Sequence, residues 1–175
     1  MRELLIVVDM QNDFLTGALG TPEGQAVLPG VTALARDWAG ELVFTRDTHT
    51  PDYLNTQEGK NLPVVHCVQG TEGWQLAPEL DALAKERGCK VFDKPAFGST
   101  QLAHWAAMEH AREPFARISL AGVCTDICVL SNTLLLKAAL PEVPVRVYGS
   151  LCAGVSPASH TRALEAMQVC QVEVV

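Results

Sequence analysis

"RISLAGVCTDICVLSN" (residues 117 to 132) runs an apolar, strand-length segment into a short polar turn and then a helix-compatible stretch, with Cys124 and Cys128 at the junction. Such a run is half of a strand-helix unit. The same alternation extends in both directions. Further β-branched apolar segments occupy 4 to 8, 42 to 45, 90 to 92, 143 to 149 and 169 to 174. Helix-compatible stretches at 28 to 39, 74 to 87, 99 to 112, 126 to 140 and 158 to 168 lie between them, several opened by Ser, Thr or Pro. Near-continuous hydrophobic strands alternating with helices predict an α/β fold, a doubly wound, six-stranded, mainly parallel sheet with helices on both faces. A length of 175 residues suits a single domain over 1–175. Residues 46 to 73 form the longest irregular region and carry too many chemically distinctive residues to be a spacer.

Composition excludes several functions. A formal charge of −7 argues against a polyanionic partner, so no nucleic acid is expected. The opening "MRELLIVV" is too short for a signal peptide, and no apolar run reaches the roughly 18 residues of a membrane span, which predicts a cytoplasmic protein without a membrane partner. Six cysteines without an export signal are expected to be reduced thiols.

In a doubly wound sheet, ligands bind beyond the carboxyl ends of the strands, near the switch in strand order. Four strand ends here are followed by "DMQNDF" (9 to 14), "RDTHT" (46 to 50), "DKPAFGS" (93 to 99) and "CTDIC" (124 to 128). A nucleophilic thiol gains from a helix amino terminus, whose free N–H groups and dipole favour the thiolate. With Thr125 as cap of a helix starting at Asp126, Cys128 falls in the first turn, whereas Cys124 remains on the strand exit. Taken alone, the pair reads as two small packed hydrophobes. The company shifts that reading: Asp9 can act as general base and acid, and Lys94 can keep both Asp9 and a thiolate charged.

The combination of "VVDMQNDF" (7 to 14), "DKPAFGS" and "LAGVCTDICV" (120 to 129) resembles the isochorismatase-like cysteine hydrolases over essentially the whole chain. The resemblance implies a catalytic triad of Asp9, Lys94 and Cys128. It also implies a cis peptide between Val123 and Cys124, with the backbone N–H groups of Cys124 and Cys128 as an oxyanion hole. Gln11 and Asp13 could organise the loop around Asp9 or simply bond at the surface.

Asp47, His49, Glu58 and His66 could offer two imidazoles and one or two carboxylates to a divalent metal, a set that suits zinc, iron or manganese. Within the family, nicotinamidases resemble this layout: a D-x-H motif, a glutamate in some members, and a later histidine followed by cysteine. The resemblance implies a metal that holds a pyridine nitrogen while the thiol does the chemistry, and no organic cofactor. Thr48 and Leu62 stand where those enzymes usually carry an aromatic residue and a tryptophan, which implies a reshaped ring pocket with Phe14, Tyr53, Trp74 and Phe97 as candidate walls.

The expected function is therefore a nicotinamidase-like cysteine amidohydrolase acting on a small carboxamide. The alternatives are a cysteine hydrolase of another small amide or carbamoyl compound without an anchoring metal, and a non-catalytic binding module. Cys67, Cys89, Cys152 and Cys170 read as buried packing, and His104, His110 and His160 as solvent-facing or backbone-capping. "LSNTLLLKAALPE" (130 to 142) is apolar on nearly every side, which suggests a homo-oligomer.

Overall fold

The computed structural model describes residues 2–175. β1 (Arg2–Val8), β2 (Glu41–Asp47), β3 (Lys90–Lys94), β4 (Phe115–Val123), β5 (Val145–Ala153) and β6 (Glu173–Val174) form one sheet in the order β3-β2-β1-β4-β5-β6. Every neighbouring pair is parallel. The chain builds outward from β1 through β2 to β3 and then returns to the other side of β1 with β4. The crevice for ligands therefore opens between β1 and β4.

Period-two alternation assigns the side chains of β1 to two cores. Leu4, Ile6 and Val8 face one cluster with Leu102 and Ala106 of α5 (Thr100–Arg112), Leu136 of α6 (Leu130–Ala139) and Met167 of α7 (Pro157–Val169). Leu5 and Val7 face the other, with Val31 and Ala35 of α2 (Pro22–Asp37) and Leu80 of α4 (Pro78–Glu86). These five β1 residues are fully buried, at about 1.5–3 kcal/mol each, so β1 is the spine of both layers. The short helices α1 (Asn12–Leu15) and α3 (Gln57–Asn61) lie in the loops after β1 and β2.

Several boundaries differ from the sequence expectation. The first long helix starts at Pro22, capped by Thr21, and runs through Pro29 rather than beginning near it. A mid-helix proline costs one backbone bond, which an otherwise well-capped helix absorbs. The last strand shrinks to two residues because α7 continues to Val169 and the chain turns at Gln171 with φ 66°. The irregular region contains a 3₁₀ turn at Tyr53–Asn55 and α3, capped by Thr56. Helix α6 is not buried all round: Leu134 is 37% exposed.

All six cysteines are free thiols, but Cys170 is exposed and Cys89 half-buried, against the expectation that both pack inside. Cys170 follows the last turn of α7, where the chain leaves the core. Among the described residues no helix is long and apolar enough to cross a membrane.

Gly122 fixes the approach of β4 to β1. Its φ is +127°, and a Cβ there would lie 2.2 Å from the Val8 carbonyl oxygen. Gly122→Ala is expected to destabilise the protein by about 3 kcal/mol or more, read as a lower urea midpoint at unchanged m-value.

Candidate active site and metal centre

The parallel register brings distant residues to one sheet edge. Val8 is level with Thr45 and Gly122, and Asp47 is level with Lys94, so Asp9, Asp47, Lys94 and Cys124 all emerge together. Asp9 and Lys94 are completely buried and Cys128 is 4% exposed. The Lys94 ammonium lies 2.7 Å from Asp9 Oδ2, 3.3 Å from Cys128 Sγ and 3.5 Å from Asp47 Oδ1, and it donates to the Ala96 carbonyl at 3.2 Å. The three residues of the expected triad thus meet around one nitrogen.

Asp9 leaves β1 with φ 49°, a left-handed conformation that a short polar side chain tolerates. Its Oδ1 accepts a 2.6 Å bond from the Thr45 hydroxyl, whereas Oδ2 has no aligned hydrogen-bond donor despite the nearby ammonium. The second oxygen therefore faces the ammonium alone and keeps a lone pair for a proton. Thr45 was not foreseen from sequence; its signal is a polar residue after the apolar run of β2, directly before the strand-end pair Arg46 and Asp47.

Burial pushes the Asp9 carboxyl above its usual range, with Asp47 adding to the rise and Lys94 opposing it. Burial works against the Lys94 charge, but Asp9, Cys128 and Asp47 together hold its pKa above normal, so it remains an ammonium. Burial, then the Asp9 charge, push the Cys128 thiol well up, with Lys94 opposing. Burial and Asp9 thus work against the thiolate that a helix start favours, and Lys94 works for it.

The local backbone corrects the expected cap. Thr125–Val129 form a π-turn ahead of α6, in which the Cys124 carbonyl accepts from both Ile127 N–H (3.1 Å) and Val129 N–H (3.0 Å). Thr125 lies inside that turn, and its hydroxyl meets His160 Nδ1 at 2.7 Å instead of capping. His110 accepts from the Phe115 N–H, and His104 is exposed. The Val123–Cys124 peptide is cis. Cys124 is half-buried, and its thiol is pushed up to about 12, first by burial and then by Asp126.

Beside the triad, Asp47, His49, Glu58 and His66 each present a ligand atom, all within 4.8 Å of one another. Asp47 Oδ2 is 3.0 Å from His49 Nε2 and 3.4 Å from His66 Nε2; Glu58 Oε1 is 3.6 and 3.8 Å from the same nitrogens. His66 Nδ1 bonds the Val64 carbonyl at 2.7 Å, which leaves Nε2 as the lone-pair donor toward the centre. Burial opposes ionisation of Asp47, yet His49, His66 and Lys94 hold its carboxyl well below the usual range. Two carboxylates and two imidazoles converging at this spacing fit a divalent cation.

The supports of this cluster are buried. Gln11 donates to the Asp47 and Trp74 carbonyls (2.8 and 2.9 Å) and accepts from Asp47 N–H at 2.7 Å, so it fastens the metal-side strand end rather than bonding at the surface. Asp13 Oδ2 accepts from Cys67 N–H at 2.7 Å, next to His66. The rings of Tyr53 and Phe14 pack on the imidazoles, Tyr53 at 4.6 Å from His49 and 5.0 Å from His66, Phe14 at 5.7 Å from His66. Trp74 lies under the Arg46 guanidinium at 3.7 Å and donates to the Thr48 hydroxyl at 2.9 Å. Phe97 is 44% exposed on the loop after Lys94.

A family model described as Isochorismatase domain matches residues 3–175. The chain is 32% identical to a nicotinamidase/pyrazinamidase of Mycobacterium tuberculosis, with 98% of this chain and 97% of that protein covered. It is also 32% identical to a nicotinamidase of Saccharomyces cerevisiae over 74% of this chain and 79% of that one. Among solved structures, the pyrazinamidase of Pyrococcus horikoshii in complex with zinc superposes with a TM-score of 0.79 at 28% identity, covering 100% of this chain and 99% of that chain.

If Gln11 fastens Asp47 in this way, Gln11→Leu should weaken divalent-metal binding by about 10–100-fold. Competition against a chromogenic chelator measures it.

Proposed function

The chain belongs to the isochorismatase family, and from that premise we infer a nicotinamidase-like amidohydrolase, converting nicotinamide and water to nicotinate and ammonia, with Cys128 as nucleophile. The observation that carries the assignment is the Lys94 ammonium within 2.7 Å of Asp9 Oδ2 and 3.3 Å of Cys128 Sγ. A base, a nucleophile and a fixed positive charge then share one buried point.

The steps follow from the groups present. Asp9 Oδ2 takes the thiol proton as Sγ attacks the carboxamide carbon, and Lys94 stabilises the sulfur while its proton is lost. The backbone N–H groups of Cys124 and Cys128 receive the oxyanion. The protonated Asp9 gives its proton to the departing nitrogen, so ammonia leaves and a thioester remains. Asp9 then accepts a proton from an attacking water, the thioester carbon–sulfur bond breaks, and the sulfur is reprotonated as the acid is released. Because Asp9 moves one proton back and forth, a raised pKa suits it: the carboxyl is a stronger base than an exposed one.

Asp47, His49, Glu58 and His66 would hold the metal, zinc by preference for such nitrogen and oxygen donors, and it would supply a Lewis-acid anchor for a pyridine nitrogen. The residues that would hold it lie close to the thiol, since Lys94 touches both Asp47 and Cys128. Phe14 and Tyr53 keep the imidazoles in place and exclude water from behind them.

The purified protein is expected to release ammonia from nicotinamide, and Cys128→Ala to lower kcat/KM by at least about 10³-fold. Asp9 must be ionised to accept the thiol proton, and its folded pKa is raised. Activity should therefore fall with decreasing pH through a value above the ordinary carboxylate range of about 4. Undiminished turnover in Cys128→Ala would overturn the nucleophile.

A further inference from the structure

The loop that follows Lys94 and the helical segment that carries the sulfur are joined by one buried amide. Asn132, 1% exposed, lies one turn beyond Cys128. Its Nδ2 donates to the Cys128 carbonyl at 2.8 Å and to the Phe97 carbonyl at 3.2 Å, and its Oδ1 accepts from Ser99 N–H at 2.9 Å. Two of these bonds go to the 94–99 loop and the third to the nucleophile's own peptide.

The loop leaves the end of β3, where the Lys94 carbonyl accepts from Thr48 N–H at 2.9 Å. Its seat on α6 is a close approach at Gly98, where a Cβ would meet Leu135 Cδ1 at 2.6 Å and Ser131 Cβ at 3.3 Å. Ser99 caps α5 through Leu102 N–H at 3.0 Å, so its own backbone N–H is left for Asn132. The Ala96 carbonyl, which accepts from the Lys94 ammonium, lies between strand β3 and the residues that Asn132 grips. Any slide of this loop along α6 would move the Ala96 carbonyl that holds the ammonium, and so the ammonium relative to the sulfur.

We propose that Asn132 is a positioning residue that locks the loop after Lys94 to the nucleophile helix and, through the Ala96 carbonyl, sets the Lys94–Cys128 separation. The proposal rests on the assignment of Cys128 and Lys94 to the reaction. It assigns Asn132 no contact with substrate or metal. An asparagine suits the position because three partners of mixed polarity, two carbonyls and one N–H, require a donor and an acceptor on one planar group. Aspartate has the same shape but would place oxygens against both carbonyls.

The test compares Asn132→Ala, Asn132→Asp and Asn132→Ser with Thr133→Val, which alters a buried neighbour whose hydroxyl has no partner among the described residues. Two readouts are needed: steady-state kinetics, and the pH midpoint of iodoacetamide alkylation at Cys128, followed by peptide mass spectrometry. In Asn132→Ala and Asn132→Asp, kcat is expected to fall about 10–100-fold with KM within about threefold. The alkylation midpoint should rise by about one unit as the ammonium leaves the sulfur. Asn132→Ser, which keeps one donor, should recover part of both, and Thr133→Val should match the wild type.

Loss of stability with an unmoved midpoint and kcat within about twofold of wild type would overturn the proposal and leave only a structural bond. If Asn132→Ala or Asn132→Asp fails to fold, Asn132→Ser against Thr133→Val decides by the same two readouts. The alkylation measurement needs no substrate. Absence of ammonia release by the wild type would count against the amidohydrolase assignment alone, while the midpoint shift still reports on Asn132.

Discussion

A lysine ammonium sealed from water is the constraint on which the rest depends. Alone, such a charge would be strongly disfavoured and would shed its proton. Lys94 keeps it because Asp9 and Asp47 supply two negative charges within 3.5 Å, and the Ala96 carbonyl supplies a further acceptor. The dependence is mutual. Without the ammonium, two carboxylates would face each other in a buried site, and removing one partner of such a set costs about 3–5 kcal/mol.

That one nitrogen also joins two chemistries. Its ion pair with Asp9 and its contact with Cys128 form the proposed reacting side, and its contact with Asp47 reaches the candidate ligand cluster. The strand order β3-β2-β1-β4 is what makes this possible, since the contributing residues sit at the ends of adjacent parallel strands or just past them. Thr45 and Gln11 tie β2 to the end of β1 from either side of the cluster. Rigidity therefore comes from short side-chain bonds between strand ends rather than from the loops themselves.

The strands, the parallel sheet and the residues gathered at its carboxyl edge were legible in the sequence, because continuous β-branched runs such as residues 4 to 8 have few alternatives to a central strand. The start of α2 was less so, since Pro29 reads as an opener but lies mid-helix. Residues 169 to 174 misled for the opposite reason: valines at a helix end mimic a strand when the turn at Gln171 is not visible locally. The surroundings of Cys128 could not be read from its helix position, because what opposes its ionisation is burial and Asp9, far earlier in the chain. Thr45 and Asn132 were missed for a related reason. Their roles are hydrogen bonds across the fold, and nothing in their immediate neighbours marks them.

The claim that a single ammonium holds base and nucleophile together is tested most directly by trapping the acyl-enzyme. The protein, mixed with nicotinamide and quenched in acid within the first turnover, is digested and its peptides weighed. A nicotinoyl thioester is predicted on Cys128 in the wild type and only at background in Lys94→Met. A thioester on Cys124 instead, or an adduct and turnover undiminished in Lys94→Met, would contradict the account.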